Sequence, residues 1–262
     1  MSEPRILVTN DDGIESVGFR ALYEALEEVG DPVAVAPYSN QSAVGRARSF
    51  EATVHEYDLG YAVEGTPVDC VIAGIEALCP DVDIVVAGCN KGANLGSYVM
   101  GRSGTVSAAV EATFFDVPAM AVSQYVTTDD GEEFENVTPP KETYADACEA
   151  AAYLAEHSLD SGVFEEADYL NVNAPAPDEN EGRPPMTVTE PSSLYAMSAE
   201  FDGDAIRLED KIWQRMQTGD IPDENGTDRR AVVDGEISVS PLTAPHSVER
   251  HDRLDDLAAT YD

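Results

Sequence analysis

RILVTNDDGIESVGFRALYEALEEVG, residues 5–30, reads as a strand, a polar turn and a helix. Residues 5–9 form a short apolar run of the kind buried on both faces of a sheet. Phe19, Leu22, Tyr23 and Leu26 then recur at helical spacing, and Gly30 closes that helix. The same order repeats along the chain. Residues 32–36 (PVAVA) read as a second buried strand, and residues 50–64 as a hairpin turning at Asp58-Leu59-Gly60. Thr66 caps a helix that begins at Pro67 and runs to about Leu78. Residues 83–87 (DIVVA) form a third strand, and a glycine-rich loop follows over 88–104. Val106, Ala109, Val110, Thr113 and Phe114 mark the next helix, before a strand at 117–122. Strands alternating with helices predict an α/β fold, a mostly parallel sheet covered on both faces.

Beyond this, residues 127–140 read as an acidic loop, 141–157 as a helix and 168–173 as a strand. From residue 175 the pattern weakens. Extended runs at 186–189, 205–208 and 236–240 predict a β-rich appendage, and the polar tail from 246 reads as helical or frayed. The division expected is a core over 1–175 and an appendage over 176–262.

The 262 residues carry 15 Lys+Arg against 51 Asp+Glu, a formal net charge of −36. Such a field repels phosphate backbones and anionic membranes, so neither nucleic-acid polymers nor membranes are expected partners. Only Lys91, Lys141 and Lys211 are lysines. An acidic, lysine-poor surface fits a halophilic protein, in which salt screens self-repulsion. Nothing approaches a membrane span, and MSEPRILV lacks a secretory layout. Cys70, Cys79, Cys89 and Cys148 form no CxxC pair. Reduced, buried thiols and a cytoplasmic location are therefore expected.

In open parallel sheets, ligands bind beyond the carboxyl ends of the strands. There this chain places Asp11-Asp12-Gly13, then Ser42, then Asn90. Two carboxylates, a hydroxyl and an amide oxygen suit a hard divalent cation such as Mg²⁺ or Mn²⁺. The same residues also fit a solvated Asp-Gly turn and ordinary caps. Ser103-Gly104-Thr105 opens a helix, where free amides and the helix dipole favour a phosphate; simple Ser capping accounts for it equally. Lys91 and Arg102 lie near these loops, as do Arg46 and Arg48, and each fits either anion contact or surface pairing. His55, His157, His246 and His251 have no ligand spacing, and Trp213 is expected to pack or to meet another subunit.

ILVTNDDGIESVGFRAL (6–22, apart from Val17), VAPYSNQSAVG (35–45), EGTPVDCV (64–71), DIVVAGCNKGANLG (83–96) and SGTVSAAVEA (103–112) together resemble the survival protein SurE family, metal-dependent 5′-nucleotidases. LNVNAP (170–175) and TDRRAVVDGEISVSPL (227–242) extend the resemblance. It implies a Rossmann-like three-layer core with a C-terminal hairpin and arm used in homodimer or homotetramer assembly. It implies hydrolysis of nucleoside 5′- and 3′-monophosphates with one Mg²⁺ or Mn²⁺ ion. Asp11, Asp12, Ser42 and Asn90 would hold the metal, with Asp11 and Asp12 also catalytic. Ser103, Gly104 and Thr105 would hold the phosphate with Asn94. The chain departs from the family pattern at Ser16-Val17-Gly18, at residues 97–102 and at Cys89. Two other readings share the same fold: a non-catalytic nucleotide- or anion-binding regulator, and a phosphatase of small non-nucleotide phosphates or polyphosphate.

Overall fold

The computed structural model describes residues 3–128, 133–177, 182–244, 253 and 258–260. The chain runs through β1 (Arg5–Thr9), α1 (Val17–Leu26), β2 (Asp31–Pro37), β3 (Val54–Tyr57), β4 (Gly60–Val63), α2 (Pro67–Ala73), β5 (Ile84–Lys91), α3 (Ser97–Met100), α4 (Gly104–Thr113) and β6 (Ala119–Gln124). It continues through α5 (Ala145–Ser158), α6 (Val163–Glu166), β7 (Tyr169–Ala174), β8 (Met186–Val188), β9 (Met197–Asp202), β10 (Ala205–Asp210), α7 (Ile212–Thr218), α8 (Asp228–Val233) and β11 (Ile237–Leu242).

One nine-stranded sheet has the order β3-β4-β2-β1-β5-β6-β7-β11-β8, and β9 and β10 form a separate hairpin. From β4 to β7 every pairing is parallel. Only β3 on β4 and β11 on β7 are antiparallel within that sheet. The core is Rossmann-like, in three layers. Successive side chains of a strand point to opposite faces, and β1 shows the result. Ile6 and Val8 join the cluster under α1 and α5, containing Phe19, Leu22 and Ala151. Leu7 joins the cluster under α2 and α4, containing Val71, Val106 and Ala109.

β1 is the switch point. The chain leaves it for β2 on one side and returns to β5 on the other, so a crevice opens beyond its carboxyl end.

Three differences from the sequence reading have local causes. The loop expected over 88–104 is shorter. β5 resumes pairing with β6 beyond a register shift, at Asn90↔Ser123 and Lys91↔Gln124, and residues 97–100 form a helical turn. The helix from Pro67 stops at Ala73 and widens into a π turn over Gly74–Leu78. β9, α7 and α8 were not anticipated, because the exposed run MSAEFD lacks a two-residue burial alternation. α8 instead gains its place from buried charges. Asp228 accepts the amides of Gly96 (2.6 Å) and Ser192 (2.9 Å), and Arg229 lies buried beside Asp223 at 3.4 Å. These bonds dock α8 behind the loop that leads to α4.

The four cysteines are free and buried, as expected. Among the described residues no helix is long and apolar enough to cross a membrane. His246, His251 and most of the polar tail lie outside the described residues.

Candidate active site

The turn after β1 is tied down by its own side chains. Asn10 Nδ2 donates to Gly13 O and to Ser16 Oγ, both at 2.9 Å, and Ser16 caps α1. Gly13 turns the chain at φ +98°. Gln41 N–H donates to Asp11 O at 2.6 Å, which joins this turn to the loop after β2.

Asp11 is 3% exposed. The N-terminus of α4 presses directly on it. A Cβ on Gly104 would lie 2.7 Å from Asp11 Cβ, so only glycine lets the helix approach this closely. Thr105 Oγ1 donates to Asp11 Oδ1 at 2.6 Å. Burial, then the charge of Asp12, push the Asp11 carboxyl up to about 6, against the opposing pull of the Thr105 bonds. Asp12 is also raised, by burial, although Lys91 and Ser42 bond to it. Two desolvated carboxylates side by side are electrostatically incomplete, and a cation would complete them.

Ser42 and Asn90 stand at the same place. Ser42 Oγ lies 3.5 Å from Asp12 Oδ1. Asn90 sits where β5 shifts register, and such an irregularity re-aims a side chain. Its amide Nδ2 donates to Gly92 O at 2.5 Å, which orients Oδ1 as the free acceptor. Lys91 N–H donates to Asp12 Oδ2 at 2.9 Å. The four proposed donors thus comprise two carboxylates and two neutral oxygens, a set that fits a hard divalent cation.

The residues expected around a phosphate divide in two. Ser103 and Asn94 line the same cavity as Asp11, Ser42 and Asn90. Ser103 Oγ accepts the amide of Val106 at 3.1 Å, an N-cap bond. Asn94 is locked from several sides. Its amide donates to Asn173 Oδ1 (2.7 Å), its Nδ2 to Ser123 Oγ (3.0 Å), and its carbonyl accepts Asn171 Nδ2 (2.8 Å). Thr105 is fully buried and faces Asp11.

Of the four basic residues near the loops, Lys91 and Arg102 line the cavity. The Lys91 ammonium donates to the carbonyls of Phe134 (3.1 Å) and Val137 (3.0 Å). Arg46 pairs with Glu111 and covers Phe114, and Arg48 covers Phe50. Arg102 lines the cavity with its guanidinium 3.9 Å from the Tyr98 ring centroid. His55 and His157 pair with Glu64 and Glu156, outside the site. The cavity measures about 450 Å³ and continues past the carboxylates to Tyr125, Phe134, Trp213 and Gln217. Trp213 packs, as one of its two expected readings had it; Tyr125, Phe134 and Gln217, and the buried Asn171 and Asn173, escape sequence reasoning. The available signal for the asparagines was two amides inside a strand bounded by apolar residues.

A family model described as "Survival protein SurE" matches residues 6–195. The chain is 63% identical over 262 residues to the 5′-nucleotidase SurE of Haloarcula marismortui, spanning 100% of this chain and 97% of that one. It is 58% identical to the 5′-nucleotidase SurE of Haloquadratum walsbyi, over 98% of this chain and 96% of that one. It is 37% identical to that of Pelobacter propionicus, over 90% and 92%. The crystal structure of the SurE protein from Aquifex aeolicus superposes with a TM-score of 0.74 at 31% identity, over 91% of this chain and 93% of that one.

Proposed function

The chain belongs to the survival protein SurE family, which makes it a metal-dependent nucleotide phosphatase, and we propose that it releases phosphate from nucleoside 5′-monophosphates, and from 3′-monophosphates as a secondary activity. The observation that carries this reading is the carboxylate pair at the switch point, Asp11 buried and Asp12 half-buried and both raised by desolvation, with Ser42 and Asn90 beside them and the N-terminus of α4 against Asp11.

In this reading Asp11, Asp12, Ser42 and Asn90 hold one divalent ion, Mg²⁺ or Mn²⁺. When bound, such an ion offsets charge on the phosphoryl oxygens and acidifies water at the site. The Asp11–Asp12 pair orients the attacking water and takes its proton on a carboxylate oxygen as the water oxygen bonds to phosphorus; the bond from phosphorus to the nucleoside oxygen breaks, and that oxygen leaves as a hydroxyl with a proton from solvent. Ser103, Gly104 and Asn94 receive the phosphate, and the α4 N-terminus offsets the charge that develops on it. Thr105 contributes by fixing Asp11.

The exposed apolar hairpin supports assembly as a homodimer or homotetramer through residues 176–262. Phe201, Ile206 and Leu208 are 73%, 66% and 69% exposed there. Four free buried thiols support a cytoplasmic location, and the charge of −36 supports adaptation to high salt.

The test is phosphate release at high KCl from nucleoside monophosphates, p-nitrophenyl phosphate and polyphosphate, with and without EDTA. Metal-dependent release from 5′-nucleotides supports the reading. Hydrolysis of polyphosphate alone, or nucleotide binding without release, would replace it with one of the two other readings.

A further inference from the structure

The charges around the carboxylates do not by themselves favour an anion. Two carboxylates beside one divalent ion sum to zero, and a phosphomonoester carries about −1.5 to −2 at neutral pH. The whole chain adds a field of −36. Among the described residues two cations line the cavity, Lys91 and Arg102. The Lys91 ammonium is committed to the carbonyls of Phe134 and Val137 and, at 4.8 Å, to the Phe134 ring. Arg102 pairs with no carboxylate among the described residues.

Arg102 is exposed, yet it is held. Its guanidinium lies 3.9 Å from the Tyr98 ring centroid and donates through Nη1 to Tyr98 O. Tyr98 stacks in turn on Tyr195, with centroids 5.2 Å apart and planes 13° apart. The backbone beside each ring is anchored. Ser97 N–H donates to Ser192 O at 2.9 Å, and Leu194 O accepts Arg229 Nη1 at 2.7 Å. Gly45 N–H donates to Arg102 O at 3.2 Å, which ties the loop carrying Ser42 to the same residue. The next residue, Ser103, caps α4. A guanidinium has five N–H groups, and the Tyr98 carbonyl takes one of them.

We infer that Arg102 is a further substrate-binding residue, whose guanidinium holds a phosphoryl oxygen beside the Ser103–Gly104 turn and supplies the positive charge that the carboxylates and their ion cancel between them. A guanidinium with one face on an aromatic ring keeps its edge N–H groups for such an oxygen. Charge-assisted bonds of this kind are about twice as strong as neutral ones. Arg102 falls in the stretch 97–102, outside the motifs that carry the family resemblance, so this contact is a property of this chain. The inference rests on the phosphatase reading of the carboxylate end and adds to it the residue that selects for an anion.

Arg102→Gln keeps a donor for Tyr98 O and removes the charge, whereas Arg102→Lys keeps the charge. The metal-loaded protein is assayed on AMP at high KCl, with inorganic phosphate as competing inhibitor. Arg102→Gln should raise KM for AMP and the inhibition constant of phosphate at least 10-fold each, with kcat changed less than threefold. Arg102→Lys should hold both constants within threefold of wild type. Arg102→Gln within threefold of wild type on both would overturn the inference. Arg102→Lys no better than Arg102→Gln would make the residue a packing element on Tyr98 and overturn it as well. Wild-type protein supplies a second readout. Phenylglyoxal modifies exposed guanidinium groups, and peptide mass spectrometry reads the rate at each arginine. Inorganic phosphate should slow modification of Arg102 at least fivefold and leave the exposed Arg207 of β10 unaffected. An unchanged rate at Arg102 would overturn the inference, and this measurement decides if a variant fails to fold. Wild-type protein that releases no phosphate from any nucleotide defeats the phosphatase reading itself. Nucleotide hydrolysis indifferent to both variants defeats only the role of Arg102.

Discussion

Thr105 Oγ1 donates to Asp11 Oδ1 at 2.6 Å across 94 residues of chain, so the first turn of α4 fixes a carboxylate that follows β1. Two features of the fold meet in this bond: the helix N-terminus and the strand that marks the switch point. It also opposes the burial that raises Asp11. Thr105→Val keeps the shape and removes the donor. Leaving a buried acceptor unpaired costs ~1–3 kcal/mol. Thermal unfolding should fall accordingly, and kcat should drop ~10–100-fold as Asp11 loses its orientation. Unchanged kcat would show that Asp11 needs no such anchor.

Gly104 admits no side chain. A Cβ there would sit 2.7 Å from Asp11 Cβ and 2.8 Å from its Oδ2. Gly104→Ala should therefore displace Asp11, with kcat/KM reduced ~100-fold, because small misplacements at a reacting centre are costly. Activity within threefold of wild type would be the contrary result.

Asp12→Asn and Asn90→Ala should each abolish phosphate release while circular dichroism stays native. Among the described residues Asp12 bonds to an amide and a hydroxyl, so neutralising it leaves the local bonds in place. Phosphatase activity retained in both variants would put the reaction elsewhere.

Acidity should act through Asp11. Its carboxyl is raised from 3.8 to about 6, so between those values the metal-free folded protein keeps a proton that the unfolded chain has released. The contribution of this group to stability therefore declines as pH rises from about 4 to 6. Asp12 moves in the same direction. A bound divalent cation removes that loss. The rise in Tm on adding Mg²⁺ or Mn²⁺ to EDTA-treated protein should be larger at pH 7.5 than at pH 5, at fixed KCl. Equal shifts at both pH values would separate the cation from these carboxylates.

Salt should help both fold and turnover. The Debye length shrinks from about 10 Å at 0.1 M to about 3 Å at 1 M, and that screens the −36 charge. Tm should rise with KCl, and KM for a nucleotide should fall. A flat dependence of both would assign the acidic residues no electrostatic consequence.

Most central strands were legible because each is a continuous apolar run. β1, β2, β5 and β6 announce themselves this way, whereas β7 alternates apolar residues with Asn171 and Asn173. Asp11, Asp12, Ser42 and Asn90 were legible because the switch-point rule predicts where strand ends converge. Thr105 was read as a phosphate contact, because its local position at a helix start is the same whether it faces a ligand or Asp11. Only the fold distinguishes the two. Phe134 lies in an acidic stretch without periodicity, and Trp213 in a helix of seven residues, too short for its spacing to show a face. Phe134 is placed by Lys91 and Gly92, far away in sequence, and Trp213 by the cluster containing Leu95 and Tyr125. Arg229 carries no sequence signal of burial, and becomes a core residue through Asp223 and its neighbours.

The spacing of the proposed donors along the chain has one more consequence. Asp12 meets Ser42 across 30 residues and the Lys91 amide, next to Asn90, across 79. An ion held by these oxygens would close two long loops at once and would bind only when the turns after β1, β2 and β5 are in place together. It would act as a reversible staple through the middle of the sheet, and a chelator would unfasten architecture as well as chemistry.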